Sequence, residues 1–234
     1  MDNIETMLKH VPDKQDLLNF LQKHMTSERS IRFREVLEYR TRHFTIAVED
    51  VYQERNASAI IRSSDCLGIQ DVYIIENHNT YQLSEGISKG ADKWVDVHVY
   101  DRYANNTGKC ISDLKRKGYQ IIATTPHEIG PQIEDFDIIH KSAFFLGGEK
   151  EGLTEEAMNK ADSYIRIPMY GFTGSYNISV AGALLLYNLT KRLHSSDIQW
   201  HLKDDEKLEL LLKWTIKTIT SSENLIRKYL ENKG

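Results

Sequence analysis

Short apolar runs alternate with helical segments between residues 43 and 194, and this alternation limits the folds open to the chain. The apolar runs are FTIAVEDV (44–51), DVYIIE (71–76), WVDVHVY (94–100), YQIIATT (119–125), AFFLGGE (143–149) and SYIRIPM (163–169). Helical segments separate them, at 56–68, around 105–117 and from about 154. Several runs are continuously apolar, which is typical of strands buried on both faces. The pattern predicts one α/β domain with a mostly parallel sheet covered by helices.

The segments on either side of this domain contain no strand-like run. Residues 1–42 are predicted to form helices, and apolar residues recur at helical spacing through 204–231 amid charges, which predicts one long amphipathic helix. We therefore expect an N-terminal helical extension at 1–42, the α/β domain at 43–194, and a C-terminal helical extension at 195–234.

The overall charge gives little indication of a partner, but one segment is locally basic. The chain has 234 residues and a formal net charge of −4, while residues 27–43 contain five arginines. Its two cysteines have no partner at metal-ligand spacing, so no metal site or disulfide framework is predicted. No apolar stretch of about 18 residues occurs. These features predict a cytoplasmic protein that does not enter a membrane.

Ligands of open parallel sheets bind where the strands end, so the loops at those ends are the candidate sites. The loop YQERN follows the first strand and ends in Asn56, with Arg62 in the helix after it. Considered alone, Asn56 is most simply a helix cap and Arg62 a solvated or ion-paired side chain.

The loop LGGEKEGLT follows a buried strand and carries two adjacent glycines before Glu149. Glycines permit close backbone approach to a ligand. The loop lacks the GK[ST] of a P-loop and the spacing of GxGxxG. A purely structural turn is therefore an equally good interpretation of this loop when it is considered alone.

The third loop, IPMYGFTGSYN (167–177), is longer than the usual connection of about 2–6 residues. Long loops in compact folds tend to be functional. Asn177 precedes an apolar helical stripe and is a favoured N-cap. The stripe comprises Ile178, Ala181, Leu185 and Leu189.

Together, the three loops resemble a known family. Their order and spacing, N-x5-R, GGEKEG and IPMYG-x3-SYN-x-SVA, are similar to the three signature motifs of the SpoU/TrmH family of RNA ribose 2′-O-methyltransferases. The resemblance implies a SPOUT-type α/β fold with a deep C-terminal trefoil knot, which binds S-adenosylmethionine. It also implies a homodimer whose active site is built from both subunits.

Residue by residue, the resemblance assigns roles to twelve positions. The expected catalytic residues are Asn56, Arg62, Glu149, Ser175 and Asn177. The expected cofactor contacts are Thr124, Gly147, Ile167 and Tyr176. Arg32 matches a family arginine implicated in activity on tRNA, and Arg40 and Arg42 lie nearby as further expected RNA contacts. Arg62 is expected either to activate the 2′-hydroxyl or to stabilise its developing alkoxide charge.

The layout resembles most closely the family members that methylate guanosine 18 in the tRNA D-loop. Methylation of ribosomal RNA or of another tRNA position is the alternative, and a non-catalytic RNA-binding module is a third interpretation. An ordinary Rossmann enzyme requires a glycine-rich turn after the first strand, and YQERN contains no glycine. The sequence departs from the family at Ser-Tyr-Asn, where leucine is usual, and at the aromatic loop YGFTG.

Overall fold

The structure is a computed structural model that describes residues 2–80, 85–126, 130–148 and 151–233. It divides into two compact units. One unit combines Met1–Arg40 with His201–Gly234, and the other is Thr41–Trp200. The chain passes from one unit to the other at 40/41 and at 200/201, whereas the sequence-based limits are 42/43 and 194/195. The N-terminal and C-terminal segments belong to a single unit.

Within the described residues, the chain contains six strands and ten α-helices. The strands are β1 (Phe44–Glu49), β2 (Asp71–Ile75), β3 (Asp96–Tyr100), β4 (Gln120–Thr124), β5 (Ser142–Gly147) and β6 (Ser163–Ile165). The helices are α1 (Asp2–Leu8), α2 (Lys14–Gln22), α3 (Ser27–Leu37), α4 (Glu54–Cys66), α5 (Glu85–Ser88), α6 (Asn106–Arg116), α7 (Glu155–Lys160), α8 (Ile178–His194), α9 (Asp204–Thr218) and α10 (Ser222–Glu231). A short 3-10 turn covers Ala91–Lys93.

The six strands form one sheet in the order β3-β2-β1-β5-β4-β6, and every neighbouring pair is parallel. The prediction of an α/β domain with a parallel sheet is confirmed. Each of the six apolar runs contains one strand. Because all strands point the same way, their carboxyl ends lie along one edge of the sheet.

Both faces of the sheet are buried, which explains why the strands are continuously apolar. Ile46 and Val48 of β1 pack into a core that also contains residues of α4 and α8. Ala47, between them, faces the opposite core, which contains residues of α6 and α7. Side chains alternate across a strand, so burial on both faces requires apolar residues at successive positions.

Helix α4 begins earlier than the sequence suggested. Its N-cap is Gln53, which makes no side-chain capping bond, so Asn56 lies inside the first turn. The interpretation of Asn56 as a helix cap is therefore wrong. The predicted glycine ending is confirmed, because Gly68 follows the helix with a φ of 76°, a conformation that glycine adopts at little cost.

The single C-terminal helix predicted over 204–231 is also wrong, since the structure has α9 and α10 there. Ile219 ends α9 in an extended conformation, with φ −87° and ψ 117°. Residues 218–222 read TITSS, and β-branched residues and serines have low helix propensity. The apolar period continues across the break because both helices contribute to one core with α1 and α2.

The segment between β4 and β5 is tied to the chain around β6. The backbone N–H of Arg166 donates to the carbonyl of Pro131 (3.1 Å), and the carbonyl of Arg166 accepts from the N–H of Ile133 (3.0 Å). The guanidinium of Arg192 in α8 donates to the carbonyls of Ile133 and Phe136. Residues 131–136 therefore contact both the end of β6 and the helix that follows it.

In the part of the chain that the structure describes, no helix combines the length and the apolar character needed to span a membrane.

Candidate active site

A cavity of about 750 Å³ lies at the carboxyl ends of β4 and β5. This volume is within the usual range for small-molecule sites, roughly 300–1,000 Å³. The residues that line it are Thr124, Thr125, Pro126, Leu146, Gly147, Gly148, Glu151, Gly152, Leu153, Met158, Ile167, Met169, Gly174, Ser175, Tyr176, Asn177, Ile178 and Ala181. All four expected cofactor contacts are among them, together with two of the expected catalytic residues.

Thr124 presents a polar atom that the described protein does not satisfy. It is the last residue of β4, and its Oγ1 is buried with no hydrogen-bond partner among the described residues. A buried hydroxyl without a partner is unfavourable, because it has lost its hydrogen bonds to water. Thr124 also lines the cavity, so its hydroxyl is a candidate hydrogen-bonding group for a bound molecule.

The two glycines at the end of β5, Gly147 and Gly148, are required by the chain itself. A Cβ on Gly147 would stand 2.0 Å from the carbonyl carbon of Gly152 and 2.1 Å from the amide nitrogen of Leu153. A Cβ on Gly148 would stand 2.6 Å from the carbonyl oxygen of Asp50. Close backbone packing therefore requires glycine at both positions, whether or not a ligand binds. Glu149, the next residue, lies outside the described residues.

Glu49, which the sequence analysis missed, anchors Thr154 at the start of α7. Its side chain is fully buried at the end of β1. Its carboxylate accepts hydrogen bonds from the backbone N–H of Thr154 (2.8 Å), the hydroxyl of Thr154 (2.9 Å) and the hydroxyl of Thr107. Thr154 in turn caps α7 by accepting from the N–H of Ala157 (3.2 Å). An acidic residue ending an otherwise apolar strand was the available sequence signal.

Asp50 fixes the loop after β2 in a similar way. Its carboxylate accepts from the backbone N–H groups of Asn77 (2.8 Å), His78 (2.8 Å) and Asn79 (3.2 Å). Burial alone would raise the pKa of Asp50, but these donors outweigh it and hold the pKa below its ordinary value. Asp50 has a φ of 50°, which is uncommon outside glycine.

Asn177 connects the first and third motifs. It is the N-cap of α8, as predicted, and its Oδ1 accepts from the N–H (2.9 Å) and hydroxyl (2.6 Å) of Ser179. Its Nδ2 donates to Oδ1 of the buried Asn56 at 3.2 Å. One side chain therefore begins a helix and contacts the residue that the first motif places in the site.

Arg62 does not join this group within one chain. It lies in α4, is exposed, and is not among the residues that line the cavity. It lies six positions after Asn56, which corresponds to about 9 Å along the helix and a different face. No hydrogen bond or ion pair joins Arg62 to another described residue. Its charge is therefore available to an anion.

The three arginines expected to bind RNA have different surroundings. Arg32 is exposed on α3 and pairs with Glu35 at 3.2 Å, an arrangement that contributes little to stability. Arg40 is 1% exposed and its guanidinium lies 5.4 Å from the centroid of the Trp214 ring. The prediction that Arg40 contacts RNA is therefore wrong, because its side chain is buried within its own unit.

Arg42 is held by two carboxylates at the amino ends of β2 and β3. Its Nε lies 2.8 Å from Asp71 and one terminal nitrogen lies 3.3 Å from Asp96. Asp71 also accepts from His98 at 2.7 Å. Burial alone would raise the pKa of Asp71, but His98 and Arg42 outweigh it and lower the pKa. The Arg42 charge is balanced inside the fold, at the sheet edge opposite the cavity, so RNA contact there is not supported.

The segment that builds the sheet, the cavity and most of α8 matches a family model. Residues 43–187 match the model of the SpoU rRNA Methylase family. The chain belongs to this family.

Individual relatives match over most of the chain. The tRNA (guanosine(18)-2′-O)-methyltransferase of Borreliella burgdorferi is 40% identical over 212 residues, which cover 89% of this chain and 95% of that protein. The enzyme of the same name from Escherichia coli K12 is 30% identical over 184 residues, covering 79% of this chain and 78% of that protein.

A solved structure supports the fold. The crystal structure of the A. aeolicus TrmH/SpoU tRNA modifying enzyme aligns with a TM-score of 0.73 and 29% identity, covering 83% of this chain and 98% of that one. The α/β fold predicted from the strand pattern is therefore that of the SpoU/TrmH enzymes.

The close packing at Gly147 generates a prediction. We expect Gly147→Ala to lower the free energy of unfolding by about 1–3 kcal/mol, because the added methyl must displace the backbone at 152–153. Gly86→Ala is the matched control, since no atom of the described residues lies within 4 Å of its added Cβ. Denaturant unfolding followed by circular dichroism measures both. Equal stability of the two variants would contradict the packing described here.

Proposed function

We propose that the protein transfers a methyl group from S-adenosylmethionine to the ribose 2′-hydroxyl of guanosine 18 in tRNA. The observation that carries the proposal is the cavity, which gathers Thr124, Gly147, Ile167 and Tyr176 from separate parts of the chain. The names of the relatives from B. burgdorferi and E. coli support the nucleotide, because each is a guanosine-18 2′-O-methyltransferase.

The cavity residues fit S-adenosylmethionine, which supplies a methyl group on a sulfonium centre when bound. The side chains of Leu146, Ile167 and Ile178 provide an apolar wall suited to a nucleobase. The unpartnered hydroxyl of Thr124 offers a hydrogen bond to a polar group. Glu49 and the close packing of Gly147 hold Thr154 and the backbone at 152–153 in place before binding, which reduces the ordering that binding requires.

Four residues serve the acceptor ribose in this proposal. Asn177 and Ser175 line the cavity, and Asn177 is held by Asn56, so these groups position the hydroxyl for in-line attack. Arg62 stabilises the developing negative charge on the 2′-oxygen, or binds a neighbouring phosphate that accepts the proton. A guanidinium stays protonated in proteins, which favours an electrostatic role for it.

We propose that the enzyme is a homodimer in which Arg62 of one subunit serves the cavity of the other. Within a single chain, Arg62 lies outside the cavity lining. Helix α8 packs against α4 and exposes an apolar stripe of Val180, Leu184 and Tyr187 at helical spacing. A second copy covering this stripe would bury apolar surface on the side of the sheet that carries Arg62.

We further propose that the segment after β6 is threaded as the trefoil knot of this family. Its support is the pairing of Arg166 with the segment 131–133, and the contact of Arg192 with the same segment. The chain between β4 and β5 therefore contacts both sides of the loop that leads into α8. We assign the exposed Arg32 to tRNA binding, and we place the enzyme in the cytoplasm with its tRNA substrate.

The reaction is tested by methyl transfer to unmodified tRNA. We expect labelled methyl from S-adenosylmethionine to appear on the ribose 2′-oxygen of guanosine 18, and tRNA already methylated there to accept none. Mapping of alkaline-resistant bonds locates the label. Label at another tRNA position, or only in ribosomal RNA, would contradict the substrate assignment and leave the chemistry intact.

The role of Arg62 is tested by substitution. We expect Arg62→Ala to lower kcat by at least about 100-fold, because an electrostatic donor to the transition state is lost. Calorimetry should show an unchanged affinity for S-adenosylmethionine. Arg102→Ala is the control, because Arg102 is similarly exposed in the same unit on the loop after the edge strand β3. A matching fall in cofactor affinity would make Arg62 structural.

The dimer is tested at the centre of the α8 stripe. We expect the protein to sediment at twice 27.1 kDa and Leu184→Arg to sediment as a monomer, because the substitution places a charge in an apolar contact. Ile139→Arg, at an exposed apolar residue in the loop before β5, should remain dimeric. A fully active wild-type monomer would refute the shared active site.

A further inference from the structure

Two aromatic side chains of the third-motif loop make almost no contact with the chain. Tyr170 is 92% exposed and Phe172 is 113% exposed, the highest values among the large hydrophobic side chains of the described residues. Burying aromatic rings is a major source of folding free energy, and these two contribute none. Together they are called the aromatic rim below.

The aromatic rim stands at the edge of the cavity. Ile167 and Met169 line the cavity before it, and the lining resumes at Gly174. Tyr170 therefore directly follows one lining residue, and Phe172 precedes another by two positions. Consecutive Cα atoms are about 3.8 Å apart, so both rings lie within reach of the cavity mouth.

Open space surrounds the glycines that flank these rings. Gly171 separates the two aromatic residues and Gly174 follows them, and among the described residues no atom lies within 4 Å of a Cβ built on either glycine. Tyr176 differs from the rim, because it lines the cavity and its hydroxyl donates to the carbonyl of Pro168 at 3.3 Å. Tyr176 is part of the wall, whereas Tyr170 and Phe172 face outward.

The aromatic loop and the chain on both sides of it lack acidic residues. From residue 163 to residue 196 the sequence contains no aspartate or glutamate, while Arg166, Lys191 and Arg192 are basic. Glu151 is the acidic side chain among the described residues that line the cavity. A loop without acidic residues does not repel a polyanion, and unpaired bases stack on exposed aromatic rings.

We propose that Tyr170 and Phe172 stack on the purine base of the nucleotide whose ribose is methylated. The inference rests on the proposed function. The base is attached to the carbon next to the one that carries the 2′-oxygen, so presenting that oxygen to the cavity brings the base to its mouth. The rim then receives a base that has left its own stack, which is how proteins read unpaired RNA.

A loop that packed against a second subunit would be expected to have a different composition. The stripe Val180, Leu184 and Tyr187 lies on a regular helix and offers a continuous apolar surface to a second copy. The two rim rings are instead set apart by Gly171 and followed by Thr173 and Ser175, both polar. Flat rings among small and polar residues suit stacking on a flat base more than packing in an apolar interface.

The test separates stacking from simple apolar contact. Tyr170→Leu/Phe172→Leu keeps apolar side chains but removes the rings, and we expect it to raise KM for tRNA about 10-fold or more. Tyr170→Trp/Phe172→Trp keeps the rings and should stay within about threefold of wild type, because base stacking tolerates any aromatic ring. Tyr103→Leu, an exposed aromatic on the loop after the edge strand β3, is the matched control and should not change KM. Affinity for S-adenosylmethionine should be unaltered in all three.

An RNA with an abasic ribose at the target position identifies what the rim contacts. Wild type should bind this RNA as weakly as the double leucine variant binds intact tRNA, and the leucine variant should lose nothing further. An equal loss by the leucine variant on both RNAs would overturn the proposal, because the rim would then contact something other than the base. A changed sedimentation mass of that variant would also overturn it in favour of a subunit contact.

Failure of this inference and failure of the proposed function give different results. Normal methylation of guanosine 18 by the leucine variant, with unchanged KM, overturns the base contact alone. Absence of tRNA methylation by the wild-type protein overturns both.

Discussion

Six strands that run in one direction place six carboxyl ends on a single edge of the sheet, and the cavity depends on that arrangement. Loops far apart in sequence, after β4, β5 and β6, line the cavity together. The edge is also where backbone groups leave the sheet ladder and need new partners. Polar side chains at this edge therefore stabilise the fold as well as supply candidate functional groups.

Most of those polar groups are satisfied inside the protein. Glu49 binds Thr107 and Thr154, and Asp50 binds the backbone after β2. Each carboxylate joins its own strand to a loop from elsewhere in the chain. Thr124 is the exception at the cavity, since its hydroxyl is buried without a partner among the described residues. The hydrogen bonds of the surrounding carboxylates are therefore already formed in the protein alone. Such a site needs little reordering when a ligand binds.

Periodicity alone predicted the six strands and the two-sided sheet, because burial on both faces leaves a direct mark on composition. The start of α4 was misjudged because asparagine suits both a cap and a buried site, and only the contact with Asn177 distinguishes them. The break at Ile219 was missed because the apolar period continues across it. The enclosure of Arg40 by Trp214 depends on residues far apart in sequence, which local patterns cannot report.

Six of the residues that the family motifs single out line the cavity, whereas Asn56 and Arg62 do not. The glycines at the end of β5 suggested room for a ligand, whereas in the structure the chain's own backbone occupies the space beside them. Asn177 illustrates the converse, since a single amide both begins α8 and contacts Asn56. Selection for a stable helix and selection for an intact active site thus act on one codon. A substitution at Asn177 would disturb both the helix start and the contact with Asn56. The start of α8 should therefore be among the slowest parts of this sequence to diverge.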